Sequence, residues 1–189
     1  MVINKTLAKR AMPTISHAHY QKIFGFPVID YYRRLGFDFV DESFEVVGTE
    51  FIDGYEKHKF DVGLHAGVEE ILLKLSSLRV SHSILSAYKQ NTLDELVAHF
   101  GLTHRFLKIV GLNNHYAHSK VDNAIQLMSE LEYDPSETLF VGDTEHDFEV
   151  AEAIGVNCVL IPGGHQTREA LESTGAQVIN NLVELLNLV

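Results

Sequence analysis

Cysteine is almost absent from this chain: Cys158 stands alone among 189 residues. One thiol excludes an internal disulfide, and no Cys/His zinc spacing can be built from it. Basic residues are also scarce, 15 Lys and Arg against 26 Asp and Glu, and none of their runs is longer than Arg33-Arg34. At a net charge of −11 the chain lacks the electrostatic footprint of a nucleic-acid or anionic-membrane binder. Apolar runs stop well short of membrane-span length. The start, Met-Val-Ile-Asn-Lys-Thr, has no signal-peptide core. The expectation is a cytoplasmic protein without nucleic-acid or membrane partners, in which the sequon Asn4-Lys5-Thr6 carries no sugar. Repeats and low-complexity tracts are missing too.

What is present is ordinary globular material, 46% hydrophobic and 22% charged, enough for one good-sized domain or a compact domain with a small accessory one. The first sixty residues predict helices only. One runs from Ser16 to about Phe24, before the break at Gly25-Phe26-Pro27, and a second covers 28–35 up to Gly36. A third begins near Ser43, with Phe44, Val47, Phe51 and Tyr55 on one face. Phe37-Asp38-Phe39-Val40 is ambiguous. From Gly63 the rhythm changes to alternating amphipathic helices and short apolar strands, with strands expected at 80–85, 106–110, 138–141 and 157–161. Thr92-Leu93-Asp94-Glu95 reads as a capping box. This alternation predicts a Rossmann-like α/β core, a mostly parallel sheet with helices on both faces. The division expected is a small all-helical cap over 1–62 and the α/β core over 63–189.

In such sheets ligands bind beyond the carboxyl ends of the strands, which selects the residues to weigh. Leu139-Phe140-Val141-Gly142-Asp143-Thr144-Glu145-His146-Asp147 ends a strand in an acidic loop. Mg²⁺ is held by hard oxygens, commonly one or two carboxylates with water and phosphate, and Asp143 and Asp147 supply that pattern. The bland alternative makes Thr144 or Asp147 a helix cap and Asp143 a solvated loop residue. Ser86, expected just past a strand, can hold a phosphoryl oxygen or serve as a turn residue. Lys120, before a helix, can balance a nucleophilic carboxylate and a transferring phosphoryl group, or be a surface lysine. His115 and His118 lie nearby as possible ligands or bases among eleven histidines. Cys158, between Asn157 and Val159, reads as a buried small hydrophobe. Because the net charge repels a polyanion at long range, a phosphate site here needs a bound cation or a local basic group.

Ser86, Lys120 and Gly142-Asp143-x-x-x-Asp147, each near a strand end and in this order, resemble the second, third and fourth motifs of the haloacid dehalogenase-like hydrolases. Residues 1 to about 60 resemble the helical cap of phosphoglycolate-phosphatase-like members, entered inside its first helix. Leu64-His65-Ala66-Gly67-Val68 resembles the return into the core. The resemblance implies a Mg²⁺-dependent phosphatase acting on a small phosphorylated metabolite. Ser86 would then bind the phosphoryl group and Lys120 would steady the nucleophile. Asp143 would ligate Mg²⁺, and Asp147 would support the metal directly or through water. The paired acids favour a phosphatase over a dehalogenase, since halide displacement needs no divalent metal.

One family element is missing from the sequence. The nucleophile is the first Asp of an Asp-x-Asp ending the first strand, and the 189 residues contain no Asp-x-Asp; Asp38-Phe39-Val40-Asp41 has the wrong spacing. A truncated phosphatase is the favoured expectation, inactive as it stands because the attacking group is gone. The family's sheet places that strand centrally, so its loss should leave open edges on both neighbours. A non-catalytic binding module is the alternative, and phosphonatase or sugar-phosphate mutase chemistry a further one. A phosphonatase needs a Schiff-base lysine in the cap, where Lys5, Lys9 and Lys22 are available.

Overall fold

The computed structural model describes residues 1–112 and 120–189; the candidates His115 and His118 lie outside the described residues. Four helices come first: α1 (Val2–Lys9), α2 (His17–Ile23), α3 (Val28–Arg34) and α4 (Phe44–Glu56). Ser16 and Ser43 cap α2 and α4, their hydroxyl oxygens accepting the amides of His19 and Val46. Apolar residues at helical spacing meet in one cluster of Ile3, Leu7, Tyr31, Tyr32, Phe37 and Val47, onto which Phe24, Phe44 and Phe51 pack. This helical layer therefore has a core of its own. The ambiguous 37–40 segment is irregular, with Phe39 at φ 60°.

The remainder alternates as expected: α5 (Val68–Ser77), β1 (Ser83–Lys89), α6 (Gln90–His99), β2 (Lys108–Leu112), α7 (Lys120–Leu131), β3 (Leu139–Gly142), α8 (Glu145–Ile154), β4 (Asn157–Leu160), α9 (Arg168–Ser173) and β5 (Gln177–Val178). Every pairing is parallel, but the strands form two sheets rather than one: β1 with β2, and β3–β4–β5. Among the described residues β1 and β3 each pair on one side only.

Helices hold the two sheets together in place of a shared strand. One side of α5 sends Ile71 and Leu75 into a cluster with Val159, Ile179 and Leu185, on the three-stranded sheet. Its Leu72 joins Leu93, Val97 and Leu102, with Ile84 and Ile109 of the two-stranded sheet packed against them. α7 touches β1 and β2 and also packs on α8.

Two local expectations are corrected. β1 starts and ends later than 80–85, so Ser86 lies inside the strand rather than beyond it. The ladder is irregular there: Leu85 pairs Val110 and Lys89 pairs Leu112, so three residues of β1 face the single Gly111. A side chain at 111 would sit 2.7 Å from the Tyr88 carbonyl oxygen, which explains the glycine. Finally, Thr92 is no cap. α6 begins two residues earlier, and buried Thr92 donates to a Glu56 carboxylate oxygen at 2.9 Å. A tertiary partner outcompeted the local capping pattern.

Candidate active site

The acidic loop owes its shape to α8. Thr144 is the N-cap and Asp147 the third helical residue, and they form a reciprocal capping box. Asp147 Oδ2 accepts the amides of Asp143 and Thr144, each at 3.0 Å, and the Thr144 hydroxyl at 2.8 Å. The amide of Glu145 donates to Gln166 Oε1 at 2.6 Å, so another of the helix's orphan donors is satisfied. Gly142 is needed for room rather than for an unusual turn: an added Cβ would lie 2.2 Å from the Asp147 Cβ.

Lys120 is not a surface lysine. It opens α7, is only 7% exposed, and donates from Nζ to Asp147 Oδ1 at 2.5 Å. Burial alone would raise the Asp147 carboxyl pKa. The Lys120 charge and hydrogen bond, with the Thr144 hydroxyl and Asp143 amide, outweigh that and hold it below its ordinary value. Both Asp147 oxygens are thus engaged by the protein. The capping reading and the link to Lys120 hold together: Oδ2 is taken up by the loop, while among the described residues Oδ1 accepts from Lys120 alone and keeps a second lone pair.

Asp143 is different. Its Oδ2 accepts the backbone amide of His165 at 3.1 Å, and it lies against Gly164, where an added Cβ would come within 1.7 Å of that oxygen. The Pro162–His165 loop after β4 is therefore a cradle for the Asp143 carboxylate that any side chain at 164 would fill. Such a held but half-exposed carboxylate suits the one-or-two-carboxylate habit of Mg²⁺. No group of three His, Cys, Asp or Glu suited to a metal occurs among the described residues, so Asp143 would need water and phosphate to complete the shell.

Ser86, Lys120, Asp143 and Asp147 all line one cavity of about 750 Å³ between the helical layer and the strand ends. The Ser86 hydroxyl oxygen accepts the Tyr88 amide at 3.1 Å, a turn role that leaves its O–H as a donor. The cavity also reaches Leu85 of β1 and Val141 of β3, strands that each pair on one side only among the described residues. Half-buried Cys158 sits on β4, its thiol pushed up to about 12 by burial. It is inert at neutral pH.

Sequence reasoning missed His165, Tyr20 and Gln21. The Tyr20 hydroxyl and His165 Nδ1 share a hydrogen bond, Gln21 Nε2 donates to the Gly164 carbonyl at 3.1 Å, and Phe24 stacks on the His165 ring at 4.5 Å. These contacts join α2 to the loop that cradles Asp143. His165 could have been found by the same strand-end logic applied to β4; the α2 residues carry no one-dimensional signal.

The chain is a parallel α/β core under a helical layer, with Ser86, Lys120, Asp143 and Asp147 gathered on one cavity. Residues 1–161 match the haloacid dehalogenase-like hydrolase family, and the chain belongs to it. The chain is 31% identical over 152 residues to a phosphoglycolate phosphatase of Pseudomonas syringae pv. tomato, a match covering 78% of this chain and 55% of that protein. It is 25% identical over 119 residues to the tyrosine-protein kinase PtkA of Mycobacterium tuberculosis, covering 62% and 41%. The chain thus spans about half the length of the curated relatives it matches. Among solved structures, Mycobacterium tuberculosis protein tyrosine kinase A superposes with a TM-score of 0.81 at 22% identity, covering 99% of this chain and 88% of that one. A predicted phosphatase from Clostridium acetobutylicum gives 0.79 at 22% identity with the same coverage. These likenesses establish the shared α/β fold. No helix among the described residues is long and apolar enough to cross a membrane.

Proposed function

We propose that this chain carries the phosphate- and Mg²⁺-binding half of a phosphatase site for a small phosphorylated metabolite, and that it does not turn over alone. The observation that carries the reading is the convergence of Ser86, Lys120 and Asp143 on one cavity, with Asp147 anchoring both Lys120 and the Asp143 loop. In this reading Asp143 holds the metal, which would neutralise phosphate charge. The Ser86 O–H and the Lys120 ammonium donate to phosphoryl oxygens, and Asp147 holds the Lys120 side chain in place. The helical layer closes over the leaving group. The group that would attack phosphorus is absent from the 189 residues, which contain no Asp-x-Asp, and the one-sided edges of β1 and β3 border the cavity where it is needed. The domain division at about residue 62 belongs to the same proposal.

Calorimetric titration of inorganic phosphate in the presence of Mg²⁺ tests this directly. Saturable, Mg²⁺-dependent binding is expected, with loss in Asp143→Asn. No phosphate should be released from a generic aryl phosphate. Mg²⁺-dependent release by this chain that disappears in Asp143→Asn would contradict the inactive reading. Absence of Mg²⁺-dependent phosphate binding would contradict the site itself.

A further inference from the structure

Helix α2 is fastened to both layers. Within the helical layer its Tyr20 and Phe24 rings pack on buried Tyr31, with centroids 5.6 and 5.3 Å apart, and the Arg34 guanidinium donates to the Ile23 carbonyl at 2.9 Å. Toward the α/β core the same short helix grips the loop after β4. Gln21 Nε2 donates to the Gly164 carbonyl at 3.1 Å, the Tyr20 hydroxyl shares a hydrogen bond with His165 Nδ1, and Phe24 stacks on the His165 ring at 21°.

The Gly164 carbonyl and the His165 amide are the two ends of one peptide group. Gln21 donates to its oxygen, and its N–H donates to Asp143 Oδ2 at 3.1 Å. A peptide group is planar and turns as a unit, so rotating this one out of place breaks both bonds together. Donation to the oxygen also polarises the group and strengthens its N–H as a donor. Without α2 the group would turn easily, because Gly163 sits at φ 115° and Gly164 has no Cβ. Held as it is, the N–H takes Oδ2 of Asp143 and leaves Oδ1 without a donor among the described residues.

Resting on the reading of Asp143 as the carboxylate that holds a divalent cation, we infer that α2 is part of the metal site. Gln21 and Tyr20 are positioning residues. They fix the 164–165 peptide, the peptide fixes the Asp143 carboxylate, and the cation meets a ligand already oriented. Ordering the ligand beforehand removes a cost from binding. The coupling is reciprocal, so a cation on Asp143 steadies α2 just as α2 steadies Asp143.

Calorimetric titration of Mg²⁺ at a fixed phosphate concentration measures the coupling. Gln21→Leu and Tyr20→Phe, made separately, should each weaken Mg²⁺ binding by roughly two- to tenfold, the worth of one net hydrogen bond. Leu7→Ala loosens the helical layer from within and should leave Mg²⁺ affinity of the folded protein unchanged. Hydrogen exchange reads the reverse direction. Mg²⁺ should slow exchange of the Tyr20 and Phe24 amides, which bond to the Ser16 and Tyr20 carbonyls, and should do so less in Gln21→Leu. Unchanged Mg²⁺ affinity in both α2 variants, or an equal loss in Leu7→Ala, overturns the positioning role and leaves the metal site standing. Exchange in α2 that ignores Mg²⁺ overturns the coupling in the same way. A wild-type chain that binds no Mg²⁺, or binding that survives Asp143→Asn, overturns the site and this inference with it.

Discussion

Asp147→Asn offers the most informative test of the acidic loop. The side chains of Lys120 and Asp147 are 9% and 7% exposed, 2.5 Å apart. Removing one partner of such a pair strands a buried charge, which costs about 3–5 kcal/mol. The amide keeps the shape and its oxygen can still accept from the Asp143 and Thr144 amides, while its NH₂ then faces the Lys120 ammonium, so the change removes both the charge and the hydrogen bond to Lys120 with little change in volume. For a chain of this size the loss corresponds to a drop in Tm of roughly 6–20 °C. Chemical denaturation at pH 7, followed by circular dichroism, measures it. The exposed pair Lys108–Glu130, 45% and 40% exposed at 2.9 Å, is the internal control, since Glu130→Gln should cost less than about 1 kcal/mol. Lys120→Met combined with Asp147→Asn should cost clearly less than the sum of the two single changes. The pH dependence has a fixed sign. The folded Asp147 pKa is depressed, so its contribution is complete above the unfolded value of about 3.9 and is lost as pH falls through the folded value. The gap between wild type and Asp147→Asn should therefore close in strong acid. A cost below about 1 kcal/mol at pH 7, or additive single and double variants, would refute the buried-pair account.

Other substitutions separate the site from the scaffold. Gly164→Ala drives a methyl into the Asp143 carboxylate; Mg²⁺-dependent phosphate binding should fall at least tenfold in calorimetry. Gly142→Ala collides with the Asp147 side chain and should lower stability by about 1–3 kcal/mol or more in the same denaturation assay. Leu7→Ala empties a fully buried position in the helical layer. It should cost about 2–5 kcal/mol while leaving the chemistry of the Asp143 loop unchanged, as read by the Mg²⁺ dependence of phosphate binding in the fraction that folds.

Much of this molecule was written locally. Serine caps at Ser16 and Ser43, the 3.6-residue spacing of Phe44, Val47 and Phe51, and short apolar strands between amphipathic helices each report their own backbone state. Period and capping act within a few residues. The same locality explains why Ser86, Lys120, Asp143 and Asp147 could be singled out: each is tied to the carboxyl side of the sheet by its own neighbouring element. Thr92 shows where local reading stops, because the partner that mattered, Glu56, is 36 residues away. Other features depended on which surfaces meet. The burial of Lys120 against Asp147 and the Gly164 cradle under Asp143 join residues more than 20 positions apart. So do the ring contact of Phe24 with His165 and the bond from Gln21 to Gly164. The open sides of β1 and β3 follow from the strand the sequence lacks, whereas the packing of α5 and α7 that joins the two sheets is tertiary. Sequence alone determined the elements and the chemical types at their ends, because hydrogen bonding and side-chain periodicity are short-range. Only the tertiary structure decided which of those groups are buried, paired or left facing a common cavity, because desolvation and charge pairing depend on neighbours the chain brings from far away.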